Sequence, residues 1–311
     1  MKEEVYNRFK DYSGSHCWQY EVSRQNRTED LQMAGITREE SSVLSVADFS
    51  FDFVPKEDKK QSQEIKDFIE RHEWLGKMPI WVTHRFVARL KSTNRLAGVI
   101  VMATPNAFSN LLGKENRGLE KLIARGACIS WSPKNLASWL VMKSIRWMVE
   151  NTEFRYFTAY SDPEAKELGT IYQACNFYYL GQKFGAGKQY LDPEKPARGW
   201  FGSAGFSDRS QIVRYAKKLG IEWQSEWYKM VGSKKNYRKV NWKAIPDDVS
   251  ARLKQEREEH KARCQQRQSP SKHKYCYIIG RSKRETKALK RRFSEVNPAL
   301  AGLPYPKERG I

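Results

Sequence analysis

A chain of 311 residues with a formal charge of +20 and a pI near 9.7 has room for a full-sized core plus a smaller second unit. It is also far more basic than solubility requires, so a polyanion is the first partner to consider. The lysines and arginines are spread among tryptophans and tyrosines with no long apolar run, which excludes a bilayer span and argues against a membrane-surface helix. Met1-Lys2-Glu3-Glu4-Val5-Tyr6 carries acidic residues where a secretory signal would be apolar, and the five cysteines suit a reducing compartment; a cytoplasmic protein is expected.

Residues 1–58 read as a polar, irregular extension docked on the core, with aromatic spots such as Trp18-Gln19-Tyr20. From Lys59 to His72, Ile65, Phe68 and Ile69 fall at helical spacing in a charged background, which predicts a surface helix. From His84 to Leu90, Phe86, Ala88 and Leu90 alternate with Arg85, Val87 and Arg89, the rhythm of a strand covered on one face. Ser92-Thr93-Asn94 supplies a turn, and the almost wholly apolar run from Leu96 to Ala103 predicts a strand buried on both faces. Leu122 to Ile129 reads as a third central strand.

Ser132 before Pro133 predicts a helix start, because serine caps and proline at the first position lacks an amide that would be unpaired anyway. That helix carries Leu136, Trp139, Leu140 and Trp147 on one side and Val141, Ile145 and Met148 on another, so it is expected to be covered from two directions. Phe154 to Tyr160 returns to strand. Gly169 to Cys175 forms a short helix stopped by Asn176, a residue that tolerates the left-handed conformation of a helix end. The order predicts an α/β fold over 59–194, a mixed central sheet with flanking helices.

Beyond Gly181 the chain turns Gly-rich and basic from Phe184 to Gly205. Residues 195–265 read as a helical insertion with a charged helix near Asp247 to Arg263. Residues 266–311 read as a basic segment that returns to the core through the strand-like Tyr275-Cys276-Tyr277-Ile278-Ile279. There is no internal repeat. The stretch Ile212 to Trp227 has helix-turn-helix spacing, with Ala216 at the crossing, Leu219-Gly220-Ile221 at the turn, and Arg214, Lys217 and Lys218 placed for phosphates; a plain helical hairpin has the same residues. The tail residues Arg281, Lys283, Arg284, Lys287, Lys290, Arg291 and Arg292 are expected to contact phosphates. His260, Cys264, His273 and Cys276 do not follow a common zinc spacing, so no metal is expected, although a structural zinc would draw on these four. Cys128 and Cys175 read as small apolar core residues.

Residues 122–181 resemble the GNAT acyltransferases, whose signature sets a tyrosine five places before a phenylalanine that follows a residue able to turn left-handed. Here these are Tyr172, Phe177 and Asn176. The run Tyr160-Ser161-Asp162 followed by Gly169-Thr170-Ile171-Tyr172-Gln173-Ala174-Cys175-Asn176-Phe177 more closely resembles the Mom family of phage DNA-modification proteins. Lys274-Tyr275-Cys276-Tyr277 and Pro304-Tyr305-Pro306-Lys307 are similar in type and order to that family's closing segment. The resemblance implies a GNAT-like fold that transfers a small acyl or carbamoylmethyl-type group to the exocyclic amine of adenine in DNA, shielding phage DNA from restriction inside a bacterial host cell. It also implies an acyl donor, acetyl-CoA among the candidates, with the donor itself left open.

Two departures accompany it. Trp131-Ser132-Pro133-Lys134-Asn135 stands where GNAT enzymes carry a Gly-rich pyrophosphate turn, which leaves the backbone at Asn135, Leu136, Ala137 and Ser138 as the cofactor-binding candidate. Lys166-Glu167 stands where a histidine is expected.

An amine on a stacked base must be flipped out, held and relieved of a proton. Asp162 at a strand end is the candidate to take that proton, Tyr172 to protonate the leaving group or orient the donor, and Trp131 to stack on the extruded base. Each residue has a plainer role available: Tyr172 as a packed residue, Asp162-Pro163 as a loop pair, Trp131 as a core corner. Two rival functions stay open, a GNAT enzyme acting on an amine of a modified pyrimidine, RNA or protein, and a non-catalytic DNA-binding protein with a degenerate acyltransferase fold.

Overall fold

The computed structural model describes residue 9 and residues 12–79, 81–182, 187–196, 199–230 and 238–307. The Met1 to Tyr6 start and residues 183–186 of the Gly-rich segment lie outside the described residues. The chain divides into two units, Met1–Gly185 with Pro270–Ile311, and Ala186–Ser269.

In the first unit seven strands form one mixed sheet, in the order β1 (Phe49–Val54), β2 (Val82–Leu90), β3 (Arg95–Ala103), β4 (Glu120–Cys128), β5 (Tyr156–Ser161), β12 (His273–Ile278) and β6 (Tyr178–Tyr179). Neighbours are antiparallel except β4 and β5, which are parallel and therefore need a crossover, supplied by helix α4 (Leu136–Asn151). This is the expected α/β architecture. From Leu96 to Ala103 β3 is buried at every position, as its unbroken apolar run demands.

Strand β2 departs from the one-sided reading, since Phe86, Val87 and Ala88 are buried in succession. The reason is a helix on each face. Phe86 packs against Trp147 of α4 with ring centroids 5.3 Å apart, while Arg89 on the opposite pleat reaches Glu64 of α3 (Lys59–His72) at 2.5 Å.

Nor are residues 1–58 an irregular extension. Strand β1 pairs with β2 over its whole length, from Phe49 against Leu90 to Val54 against Arg85, and closes one edge of the sheet. Ahead of it, helix α1 (Trp18–Ala34) docks on the core through Leu31, and the short helix α2 (Arg38–Val43) follows. Asp30 of α1 is buried, accepts from Arg71 at 2.9 Å and from the Ser130 hydroxyl at 2.7 Å, and so ties this helix to two distant parts of the chain.

Helix α4 begins three residues later than the Ser132-Pro133 signal suggests. Leu136 N–H donates to Pro133 O at 3.0 Å, so the proline opens a turn, and Asn135 is the residue that precedes the helix. Asn176 ends helix α5 (Thr170–Ala174) at φ 58°, as expected, and Phe177 N–H returns to Tyr172 O at 3.1 Å. Strand β12 enters the sheet between β5 and β6, so the core is completed only by residues that follow the second unit.

The second unit is mixed rather than helical, and its limits lie outside 195–265 on both sides. Strands β7 (Gly187–Leu191), β8 (Phe201–Gly202) and β11 (Gln265–Ser269) form an antiparallel sheet in the order β11-β7-β8. Strands β9 (Tyr228–Met230) and β10 (Arg238–Val240) form a hairpin, and α6 (Arg209–Lys218) and α7 (Asp247–Arg263) are the helices. The helix-turn-helix reading fails here. Gly220 at φ 67° and the 2.9 Å bond from Ile221 N–H to Ala216 O close α6 in a Schellman cap, after which the chain enters a single turn at Ser225–Trp227 and then β9. Ala216 is buried with Trp227, Ile245 and Leu253; its small size serves this local core, and no recognition helix follows.

Candidate functional site

The parallel pair β4–β5 is hydrogen-bonded only where Glu120, Lys121 and Leu122 face Tyr156, Phe157 and Thr158. Beyond those residues the strands part: β4 continues along β3 as far as Cys128, and β5 continues along β12 as far as Ser161. Where they part lies a cavity of about 980 Å³, bordered by residues 122–130 of β4 and beyond, by 160–162 and 166–172, and by residues from 73–81. A bulge helps shape it. Val101 faces Arg125 and Met102 faces Ile123, so Ala124 is an extra residue that re-aims the strand. Arg125 then reaches the segment after α3, its Nε donating to Lys77 O at 2.8 Å and standing 3.8 Å from Glu73.

Two carboxyls in this cavity are held near neutrality. Burial pushes Glu73 up to about 7, against the pull of Arg125 and of the Gly76 and Leu75 amides. Glu167 is likewise pushed up to about 7, first by burial and then by the neighbouring charges of Glu73 and Asp162. Its oxygens are fixed by Trp74 Nε1–H at 3.0 Å and by the Asp162 amide at 3.1 Å. Tyr172 lines the same cavity; burial, then Glu167 and Glu73, hold its phenol far above the ordinary value, so it stays protonated. Its ring packs on Phe177 and Tyr275 with centroids 5.3 Å and 5.4 Å away.

The loop that delivers Glu167 is built tightly. Lys166 sits at φ 56° and Gly169 at φ 65°, and a Cβ at Gly169 would come within 2.5 Å of the Tyr275 ring. Only glycine fits both the conformation and the space.

Asp162 and Tyr172 are thus brought to one cavity, as the sequence reading requires. Asp162 is engaged, however: Oδ1 accepts from Glu164 N–H at 3.0 Å and Oδ2 pairs with Lys272 at 2.9 Å. Its carboxylate thus fastens the loop that carries Glu167. Trp131 must be corrected. It is 2% exposed, belongs to the core cluster and donates to Asp30 O at 3.2 Å, so it cannot stack on a base. Trp81, 38% exposed, lies on the cavity wall.

Of the four residues at the start of α4, Ala137 borders the cavity. Leu136 is buried in the core, Ser138 donates its hydroxyl to Asn135 O at 3.1 Å, and the Asn135 side chain makes no cap bond. Among the basic candidates, Arg214 and Lys217 are exposed, whereas Lys218 pairs with the buried Glu256 at 2.7 Å. Arg281 is spent on backbone carbonyls, at 3.1 Å from Val149 O and 3.2 Å from Thr152 O, and is not a free phosphate ligand. Lys283, Arg284, Lys287 and Arg291 are exposed along helix α8 (Lys283–Val296). The four-residue metal group does not assemble as such: His273 bonds the Tyr179 hydroxyl at 2.8 Å and Cys276 is fully buried beside Tyr156.

The sequence reading missed Glu73, Trp74, Trp81 and Arg125. Glu167 was in view, but as a departure from the expected histidine and not as a functional group.

Residues 56–197 match the Mom protein family, a span that includes Asp162, Glu167 and Tyr172, so the resemblance is borne out over it. No curated protein matches the chain. Similar solved structures include a ribosomal-protein-S5-alanine acetyltransferase from Vibrio fischeri, at 14% identity, 47% of this chain, 85% of that one and a TM-score of 0.32. A probable acetyltransferase from Staphylococcus epidermidis gives 8%, 45%, 87% and 0.32. A tandem GNAT protein from the clavulanic acid biosynthesis pathway gives 13%, 75%, 100% and 0.36.

Proposed function

With residues 56–197 taken as a Mom-family segment, we propose that this chain transfers a small acyl or carbamoylmethyl-type group to the exocyclic amine of adenine in double-stranded DNA. The observation that carries the reading is one cavity bordered by Tyr172 and by two carboxyls, Glu73 and Glu167, each held at about 7. At about 980 Å³ the cavity has room for an extruded base and a small transferred group.

The chemistry divides between the two kinds of group. Adenine's amino nitrogen is a weak nucleophile whose proton must leave as the new bond forms. A carboxyl titrating near 7 is about half ionised at neutral pH, so Glu167 accepts that proton and releases it between turnovers. Tyr172 keeps its own proton and donates it, as a hydrogen bond or outright, to the leaving group. Trp81 offers a flat face for the flipped base. The start of α4, with Ala137 on the cavity wall, offers the amides that follow Leu136 and the positive end of a dipole to an anionic acyl donor such as acetyl-CoA, which would supply the electrophilic carbon. Lys283, Arg284, Lys287 and Arg291 grip the DNA backbone, and the modified base would resist restriction.

The test is nucleoside mass spectrometry on DNA from cells that express the protein. An adduct on deoxyadenosine is expected. Unmodified DNA in the presence of folded protein removes the reading, and an adduct on another base, on RNA or on protein moves the acceptor.

A further inference from the structure

Within the second unit, Asp192, His260 and Cys264 bring a carboxylate oxygen, a ring nitrogen and a thiol sulfur to within 4.8 Å of one another, and all three residues are buried. We propose that these three bind a zinc ion, with water as the fourth ligand, that pins the end of β7 to the end of α7. None of the chemistry at the β4–β5 cavity requires it.

The local sequence sets the geometry. His260 and Cys264 are four residues apart, at the last turn and the C-cap of α7, so they share one face of the helix end. Asp192 directly follows β7. A helix C-terminus is the negative end of the backbone dipole and favours a cation. Asp192 is 1% exposed, His260 2% and Cys264 5%, and buried charges of this kind persist only when paired or when they coordinate a metal. A divalent ion with one carboxylate, one thiolate and a neutral imidazole gives a site with no net charge.

The distances fit. Zinc bonds of about 2.0 to 2.3 Å place tetrahedral donor atoms roughly 3.3 to 3.6 Å apart. Asp192 Oδ2 lies 3.0 Å from His260 Nε2, so a few tenths of an ångström of movement admits an ion between them. The other ring nitrogen also has a partner that fixes the ring: His260 Nδ1 stands 2.6 Å from the Tyr215 hydroxyl. The mixed oxygen, nitrogen and sulfur set selects zinc over magnesium or calcium.

The experiment uses the full chain without a histidine tag, purified in the absence of chelator, with metal measured by mass spectrometry before and after exchange into cobalt(II). Near-stoichiometric zinc is expected, and the cobalt form should show a thiolate-to-cobalt charge-transfer band together with the intense visible bands of tetrahedral coordination. Cys264→Ser should lose the charge-transfer band, and Tyr215→Phe should weaken zinc binding roughly 10- to 100-fold. Folded protein that takes up no metal when zinc is supplied overturns the site, leaving a buried Asp–His–Tyr hydrogen-bond chain. So does a cobalt spectrum without the thiolate band, a readout on the native sequence that holds even where a variant fails to fold.

Discussion

Glu73→Gln separates the cost of the cavity from its use. Glu73 Oε2 accepts the Gly76 amide at 3.0 Å, a bond that a glutamine oxygen retains, so the change removes a charge and little else. In the folded protein this carboxyl keeps its proton up to about 7, whereas its ordinary value is 4.5. Between those two pH values the folded state binds more protons than the unfolded chain, so stability falls as pH rises and levels off once the folded carboxyl has ionised. The span corresponds to about 3 kcal/mol. Glutamine does not titrate. The variant should therefore differ little from wild type near pH 4.5 and be more stable by about 3 kcal/mol at pH 8, a figure that already contains the attraction of Arg125. Urea denaturation at pH 5 and pH 8, with an unchanged slope, reads this directly. A stability difference equal at both pH values would refute the claim that Glu73 is an ionisable group stressed by burial. Activity should shift as well. Glu73 is one of the charges that hold the proton on Glu167, so its removal lowers Glu167 below about 7 and moves the acid limb of the rate profile to lower pH.

Tyr172→Phe removes the proton donor but keeps the ring contacts with Phe177 and Tyr275; turnover should fall roughly 10²- to 10⁴-fold while DNA affinity in an anisotropy titration stays unchanged. Trp81→Ala should weaken binding of DNA carrying an unpaired target base by about 1 to 3 kcal/mol, read as a rise in KM with kcat less affected. Reversing the charges of Lys283, Arg284, Lys287 and Arg291 together should flatten the dependence of log affinity on log salt by about 0.9 for each DNA phosphate no longer neutralised, and an unchanged slope would take α8 out of the interface.

The sheet was legible because its signals are local. The apolar run of β3, the helical spacing of α3 and the left-handed Asn176 each act within a few residues and appear where expected. Strand β1 was hidden by its composition: Phe49-Ser50-Phe51-Asp52-Phe53-Val54 looks like part of a polar arm until β2 is known to lie beside it. Long-range pairing decides such cases. Trp131 was misread because a tryptophan near a strand end looks the same from sequence whether it faces a cleft or the carbonyl of Asp30, 101 positions away.

The candidate site was half visible for the same reason. Asp162 and Tyr172 share one short motif, whereas Glu73 ends a helix far upstream and meets them only through the fold. Glu167 stood inside the motif, yet its raised pKa depends on Trp74, Glu73 and burial, none of which has a local signature. The turn residues of α6 misled in the opposite direction, because Ala216, Gly220 and Ile221 serve a helix cap and a small core as readily as a helix-turn-helix.

The central claim is that the cavity between the diverging strands β4 and β5 is where a DNA base is modified. It is tested most directly by quantifying adducted deoxyadenosine in DNA from cells expressing wild type or Tyr172→Phe at matched levels of folded protein. The adduct should be abundant with wild type and reduced at least roughly 100-fold with the variant. Equal adduct from both proteins would place the chemistry elsewhere, and none from either would contradict the account.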